Sequence, residues 1–268
     1  MCTAILSIEP GAPVLLAGVR DEFADRAWEP PGRYWPDFPG LIGGRDLLAG
    51  GTWLAVAPGA RRAACVLNAR GQMAPRASRR SRGVLPLEVA ASGKLASAGL
   101  ADFDPFHLLA VEPGMAALWS WDGEHLTEQE LTAGLHIVVN SGLGGEPQAG
   151  NEPAPGHLAP SASPAIAAAQ REQARIGQFT AKLRSVARPV PRPGRPVAEA
   201  WGAWLPVMNG DGIPRDDPRA LIVRRDLDGG RIWGTTSMSL VALSPDGVRY
   251  DFTGAPGDPV AWYPVPVS

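Results

Sequence analysis

Lysine, histidine and cysteine are scarce in this 268-residue sequence, and long apolar runs are missing. With two cysteines, Cys2 and Cys65, and four scattered histidines (His107, His125, His136 and His157), there is no disulfide framework and no zinc-type spacing. Charged residues make up 19% of the chain and the formal net charge is −2, so no overall field draws in nucleic acid or an anionic membrane. No apolar stretch reaches the length of a transmembrane helix, and Glu9 and Pro10 interrupt the N-terminus before a signal-peptide core can form. These absences predict a cytoplasmic protein with no integral membrane segment and no nucleic-acid partner. They leave the oligomeric state open.

Glycine, proline and tryptophan are abundant: 32, 28 and 9 residues in a chain that is 45% hydrophobic. Turn formers spread through the whole length break long helices and suit many short strands, so a single sheet-rich domain over residues 1–268 is expected. Strands are read at Thr3 to Ile8, Val14 to Val19, Thr52 to Ala57, Ala63 to Leu67, His107 to Val111, Met115 to Trp121 and Leu135 to Val139. A short helix fits Gly83 to Ser92, and a Gly/Pro-rich loop runs from Gly142 to Pro160. The strongest helix is Ser163 to Ala187. It has a Ser163 cap, Pro164 in the first turn, and an apolar stripe through Ile166, Ala169, Ile176, Phe179, Leu183 and Val186. A second is read from Pro196 to Val207, before closing strands at Arg219 to Arg225, Arg231 to Leu243 and Val248 to Phe252. Strands, two helices and strands again suit sheets covered by helices.

Cys2 is the first residue to single out. A small second residue permits removal of Met1, which would leave Cys2 with a free α-amine, so that nucleophile and base share one residue. An amine pKa of about 7.7–8.0 and a thiol pKa of about 8.5 let the amine accept the thiol proton near neutral pH. The competing reading is a small apolar residue at the start of a strand. The turn at Glu9 to Pro13 bears on the choice: if Ile8 pairs with Val14, Cys2 lies opposite Arg20, within one residue. A guanidinium there can stabilise a thiolate or an oxyanion, and the Asp21 carboxylate can hold the amine. Adjacent strand residues face opposite ways, so bringing both to Cys2 requires a bulge or strand end at Val19 to Glu22. The alternative is a surface ion pair between Arg20 and Glu22.

Several short motifs in order resemble a known family. They are Met-Cys at the start, Val19-Arg20-Asp21-Glu22-Phe23, Gly44-Arg45-Asp46, Gly50-Gly51-Thr52-Trp53-Leu54, Leu67-Asn68, Asn140-Ser141 and Trp233-Gly234-Thr235. Together they look like the NRDE family, named for an Asn-Arg-Asp-Glu tetrad and also called the transport and Golgi organisation protein two family. That family is similar to N-terminal-nucleophile (Ntn) hydrolases of the bile-salt hydrolase and penicillin acylase kind. The resemblance implies an α+β fold, an αββα four-layer sandwich of two sheets between two helix layers. It also implies that Cys2 attacks an amide, that Arg20 and Asp21 activate it, and that Asn68 and Asn140 supply oxyanion or positioning amides. Family members are linked to heme handling and lipid metabolism. The chain departs from the pattern at Val19, where the tetrad usually has Asn, and at Thr236, where Arg usually follows Gly-Thr.

Other features have simpler readings. Arg76, Arg79, Arg80 and Arg82 form a loop that is either solvated or rims a pocket for an anion such as a carboxylate or heme propionate. Gly50-Gly51 suits a tight turn or close backbone approach. Trp53, Trp119, Trp121 and Trp233 read as core before ligand cage. Met73 and His107 could ligate a heme iron, though nothing in their context favours that over packing. The expectation is an amidase acting on a non-peptide C–N bond, with a small-molecule substrate such as an acyl amide and no required cofactor. The alternative class is a non-catalytic protein that binds or traffics heme or a lipid in the same pocket.

Overall fold

Alternating burial organises the chain into two antiparallel sheets. The computed structural model describes residues 2–144 and 164–268. The strands β1 (Thr3–Ile8) and β2 (Val14–Phe23) form the N-terminal hairpin, followed by β3 (Trp28–Gly32), β4 (Ile42–Asp46), β5 (Leu54–Ala57) and β6 (Arg62–Asn68). Helix α1 (Leu85–Ser92) precedes β7 (Phe106–Glu112), β8 (Met115–Trp121), β9 (Leu126–Glu130), β10 (Gly134–Val139) and β11 (Gly142–Leu143). Helices α2 (Pro164–Ser185), α3 (Val197–Trp201) and α4 (Trp204–Met208) come next, then β12 (Arg224–Asp226), β13 (Ile232–Ser244), β14 (Gly247–Thr253) and β15 (Tyr263–Pro264). One sheet runs β11-β10-β1-β2-β13-β14-β15 with β12 paired to β13, and the other is the meander β3 to β9.

The two-residue period of a strand assigns each side chain to a face. On β1 and β2, Ala4, Leu6, Val14 and Leu16 meet Leu54, Val56, Cys65 and Leu109 of the second sheet in one apolar cluster. Their neighbours Ile5, Leu15, Ala17 and Val19 face the other way, onto Phe179, Leu183, Trp201 and Trp204 of the helices. The outer face of the second sheet, with Ala55, Ala64, Leu108 and Trp119, is covered by Leu85, Leu87 and Val89 of α1. Both faces of β1 and most of β2 are therefore buried, which accounts for their near-continuous apolar sequence. Trp201 and Phe179 have 0% and 1% exposure, so truncating either to Ala should cost about 3–5 kcal/mol.

The sheet-rich α+β expectation holds, and the hairpin register is the expected one: Thr3 pairs with Val19 and Ser7 with Leu15. The helix read from Gly83 to Ser92 splits into a 3-10 turn at Arg82–Val84 followed by α1. Other boundaries shift. β2 runs on to Phe23 instead of stopping at Val19. The helix read from Pro196 to Val207 is two short helices, because Gly202 between them takes φ 46°, ψ −126°. The strand read at Arg219 to Arg225 shrinks to Arg224–Asp226. β3, with its Pro30-Pro31, lies at a sheet edge, where missing N–H donors are tolerated. The Ser163 cap, His157 and the loop after Gly144 lie outside the described residues. No helix among the described residues is long and apolar enough to cross a membrane.

Candidate active site

The hairpin register carries Cys2 to the end of β2. It is half-buried, packs against the cluster between the sheets, and its Sγ donates a long hydrogen bond to the Asp21 carbonyl, at 3.7 Å. Burial pushes the thiol pKa up, and the Asp21 carboxylate adds to the rise, while Arg20 opposes it. The thiol is thus held protonated near neutrality and needs a base to become a nucleophile. Cys65, the other free cysteine, is buried and its pKa is also raised by burial.

Arg20 and Asp21 lie on opposite faces of β2, as strand parity requires. Arg20 points between the sheets, where its guanidinium stacks 4.6 Å from the Trp53 ring centroid. Nη1 donates to Thr236 Oγ1 at 2.9 Å and Nη2 to Asp46 Oδ2 at 3.3 Å. Burial lowers the Arg20 pKa, and the Glu22 and Asp46 carboxylates oppose that shift. Asp46 also accepts from Arg26 Nε at 2.6 Å and from the Leu48 and Ala49 N–H groups at 3.1 and 2.9 Å. Burial alone would raise the Asp46 pKa, but the Arg26 and Ala49 hydrogen bonds hold it below its usual value. Arg20 is therefore an interior member of a charged network, which replaces the simple surface pair with Glu22, at 3.9 Å a distant contact.

Asp21 faces the helices. Its Oδ1 accepts from Thr235 Oγ1 at 2.7 Å, and Arg175 of α2 lies 3.6 Å from Oδ2 while donating to Thr3 Oγ1 at 3.0 Å. The bulge or strand end at Val19 to Glu22 that would let Arg20 and Asp21 both face Cys2 is not there, and the irregularity in this pair of strands lies in β13. Asp21 pairs with Thr235 and Arg20 with Ser237, so Thr236 is the extra residue of a bulge in β13. The Thr236 hydroxyl is 3.3 Å from the Arg20 carbonyl as well as bonded to its guanidinium, so the bulge grips Arg20 from both ends. Val19 is buried against the helix-side cluster.

Among the described residues, two clefts open on Cys2. The first, about 420 Å³, is lined by Arg20, Asp46, Trp53, Arg79, Arg80 and Arg82 among others. The second, about 540 Å³, is lined by Asn140, Arg171, Glu172, Arg225, Leu227 and Trp233 among others. Cys2, Asp21, Glu22 and Asn68 border both. Asn68 is the last residue of β6, and Asn140 follows β10, so each strand end presents an amide near the opening. Among the described residues the buried Asn140 Oδ1 has no hydrogen-bond partner. Arg79, Arg80 and Arg82 rim the first cleft, and Gly51 lets the turn before β5 contact Gly83: a Cβ there would lie 2.4 Å from the Gly83 carbonyl carbon.

His107 has an internal task. Its Nδ1 meets Ser120 Oγ at 2.8 Å and its Nε2 meets the Asn140 carbonyl at 3.3 Å. A carbonyl only accepts, so Nε2 carries the proton and Ser120 donates to Nδ1. Burial pushes the His107 pKa down to about 4, against the opposing Asn140 carbonyl. The ring therefore pins the second sheet to the end of β10, and both nitrogens are engaged, which does not fit iron ligation. Met73 is 55% exposed and lines neither cleft. Sequence reasoning missed this histidine's link to Asn140 and the contacts of Arg175 with Asp21 and Thr3, because those partners lie far away in the chain, and it gave Arg26, Arg171 and Arg225 no place in the site.

Fold and site together define an α+β protein with a cysteine-centred polar cleft at the end of its central hairpin. The chain belongs to the Transport and Golgi organisation 2 family, whose model matches residues 1–154. That span holds Cys2, Arg20, Asp21, Asn68 and Asn140. No curated protein matches the chain.

Proposed function

We propose that the chain is one domain with the αββα layering of an Ntn hydrolase, in which Cys2, once Met1 is removed, hydrolyses a non-peptide amide. The observation that carries this reading is the position of the Cys2 thiol, at the junction of two clefts bordered by Arg20, Asp21, Asn68 and Asn140. The raised thiol pKa supports the need for a base, and the freed α-amine of Cys2 is that base. Sγ attacks the amide carbon while its proton passes to the α-amine. The tetrahedral oxyanion is met by the Asn68 and Asn140 amides, with the Arg20 guanidinium adding positive charge. The α-ammonium then protonates the departing amine and the C–N bond breaks, leaving an acyl thioester. Water, deprotonated by the same amine, adds to the thioester, and the acid and the free thiol are released. Asp21 positions the amine.

A panel of N-acyl amides tests the proposal, with intact mass reporting the N-terminus. Turnover by chain lacking Met1, and none by Cys2→Ser or by chain with an uncleaved N-terminal extension, is the expected result. Equal turnover by Cys2→Ser overturns it. Absence of turnover, with heme or lipid bound equally by wild type and Cys2→Ser, replaces it with the carrier reading.

A further inference from the structure

Pairing the charges around the second cleft leaves a remainder. Asp21 lies 3.6 Å from Arg175, Glu172 lies 3.3 Å from Arg70, and Glu22 lies 3.9 Å from both Arg20 and Arg26. Arg171 and Arg225 have no carboxylate within ion-pair distance among the described residues, and the Nε of Arg171 is buried without an acceptor. Each is half-buried. The Arg225 pKa is lowered by burial and then by Arg171 and Arg175, against the opposing Asp21 carboxylate, so the cations outweigh the one anion that reaches Arg225. Holding like charges together unmatched is unfavourable, and an oxyanion between them relieves it.

The position of Arg225 is built into the sheet. It pairs with Trp233 across β12 and β13, with its guanidinium carbon 5.4 Å from the indole centroid. Gly234 allows this approach, since a Cβ there would lie 2.3 Å from the Val223 carbonyl oxygen. The Thr235 hydroxyl that donates to Asp21 also accepts from the Val223 N–H at 2.9 Å, tying the β12 segment to the Cys2 end of β2. Trp233 and the 42% exposed Leu227 give the same cleft an apolar wall.

We infer that Arg171 and Arg225 form an oxyanion subsite that selects amphiphilic acyl amides bearing a carboxylate or phosphate, the apolar part lying against Trp233 and Leu227. The inference rests on the amidase reading for its substrate class, but its binding test does not need turnover. N-lauroylglycine, N-lauroyl phosphoethanolamine and neutral N-lauroylethanolamine are titrated into full-length Cys2→Ser protein, followed by tryptophan fluorescence. The acidic amides should bind about tenfold more tightly than the neutral one, and Arg171→Gln or Arg225→Gln should remove most of that preference. The stronger of the two acids identifies carboxylate or phosphate. Equal binding of all three amides, or an anion preference that survives the double Arg171→Gln, Arg225→Gln change, overturns the subsite. Anion-selective binding without turnover by wild type keeps the subsite and rejects the amidase. Turnover without anion selectivity does the reverse.

Discussion

Arg20 and Asp21 are neighbours in the chain, yet the two faces of β2 that they serve differ in how their charges are matched. On the Arg20 face, Arg20 and Arg26 share Asp46, Arg79 lies 3.1 Å from Asp104, and Arg82 is tied to the Pro105 carbonyl at 2.7 Å. On the Asp21 face, Arg175 and Arg70 take the carboxylates and, among the described residues, leave Arg171 and Arg225 over. The first arrangement behaves as scaffold, because every buried charge has a partner whose loss is felt locally. The second keeps cations ready for something from outside. A cysteine placed between them can draw rigidity from one side and ligand selection from the other.

The largest way to break this contrast is on the braced face. Arg20→Gln, which strips a 4% exposed guanidinium from Asp46, Thr236 and Trp53, should cost about 3 kcal/mol in urea unfolding, the low end for a broken buried pair because Asp46 keeps Arg26. A cost near zero would show that the network is slack.

The His107 link gives a comparable effect through pH. Its pKa falls from 6.5 in the unfolded chain to about 4 in the fold, so the unfolded state takes up the proton first as pH drops. The contribution of neutral His107 is therefore complete above pH 6.5 and is lost progressively down to about pH 4, a change on the order of 3 kcal/mol. Stability curves of wild type and His107→Gln should converge toward acid over that window. Parallel curves would place the titration elsewhere.

Smaller effects sharpen the comparison. Thr236→Val removes both hydroxyl bonds to Arg20, to its guanidinium and to its carbonyl, and should cost about 2 kcal/mol without altering the sheet register, which hydrogen exchange along β13 reports. On the opposite face, Arg225→Gln should change stability by no more than about 0.5 kcal/mol, since among the described residues it breaks no ion pair and only the 5.4 Å contact with Trp233 is lost. A large loss there would make Arg225 a structural residue.

Much of the hairpin was legible in the sequence. Pro10-Gly11 marks the turn, and apolar alternation sets the pairing that runs from Ser7 with Leu15 to Thr3 with Val19 and so brings Cys2 toward Arg20. Strand parity also separated Arg20 from Asp21. β2 has no bulge to turn both toward Cys2, and the bulge that its partner β13 carries at Thr236 is not legible locally, because the two strands lie more than 200 residues apart. β4 was missed since Ile42-Gly43-Gly44-Arg45-Asp46 lacks strand-forming side chains, and with it went Asp46 as the hub of the network. The loop of Arg79, Arg80 and Arg82 was read as solvated or pocket-lining. It is both, with Arg79 and Arg80 exposed at the rim while Arg76 stays outside the cleft. Asn140 was placed correctly at a strand end, but its clamp by His107 depends on two sheets meeting, which no spacing along the chain records.

The central claim is that Cys2 carries the acyl group. The full-length protein, mixed with an N-acyl amide, quenched in acid and digested, should yield an N-terminal peptide starting at Cys2 and heavier by one acyl group, absent after Cys2→Ser. An N-terminal peptide that retains Met1, or turnover with the acyl mass on any other residue, would contradict it.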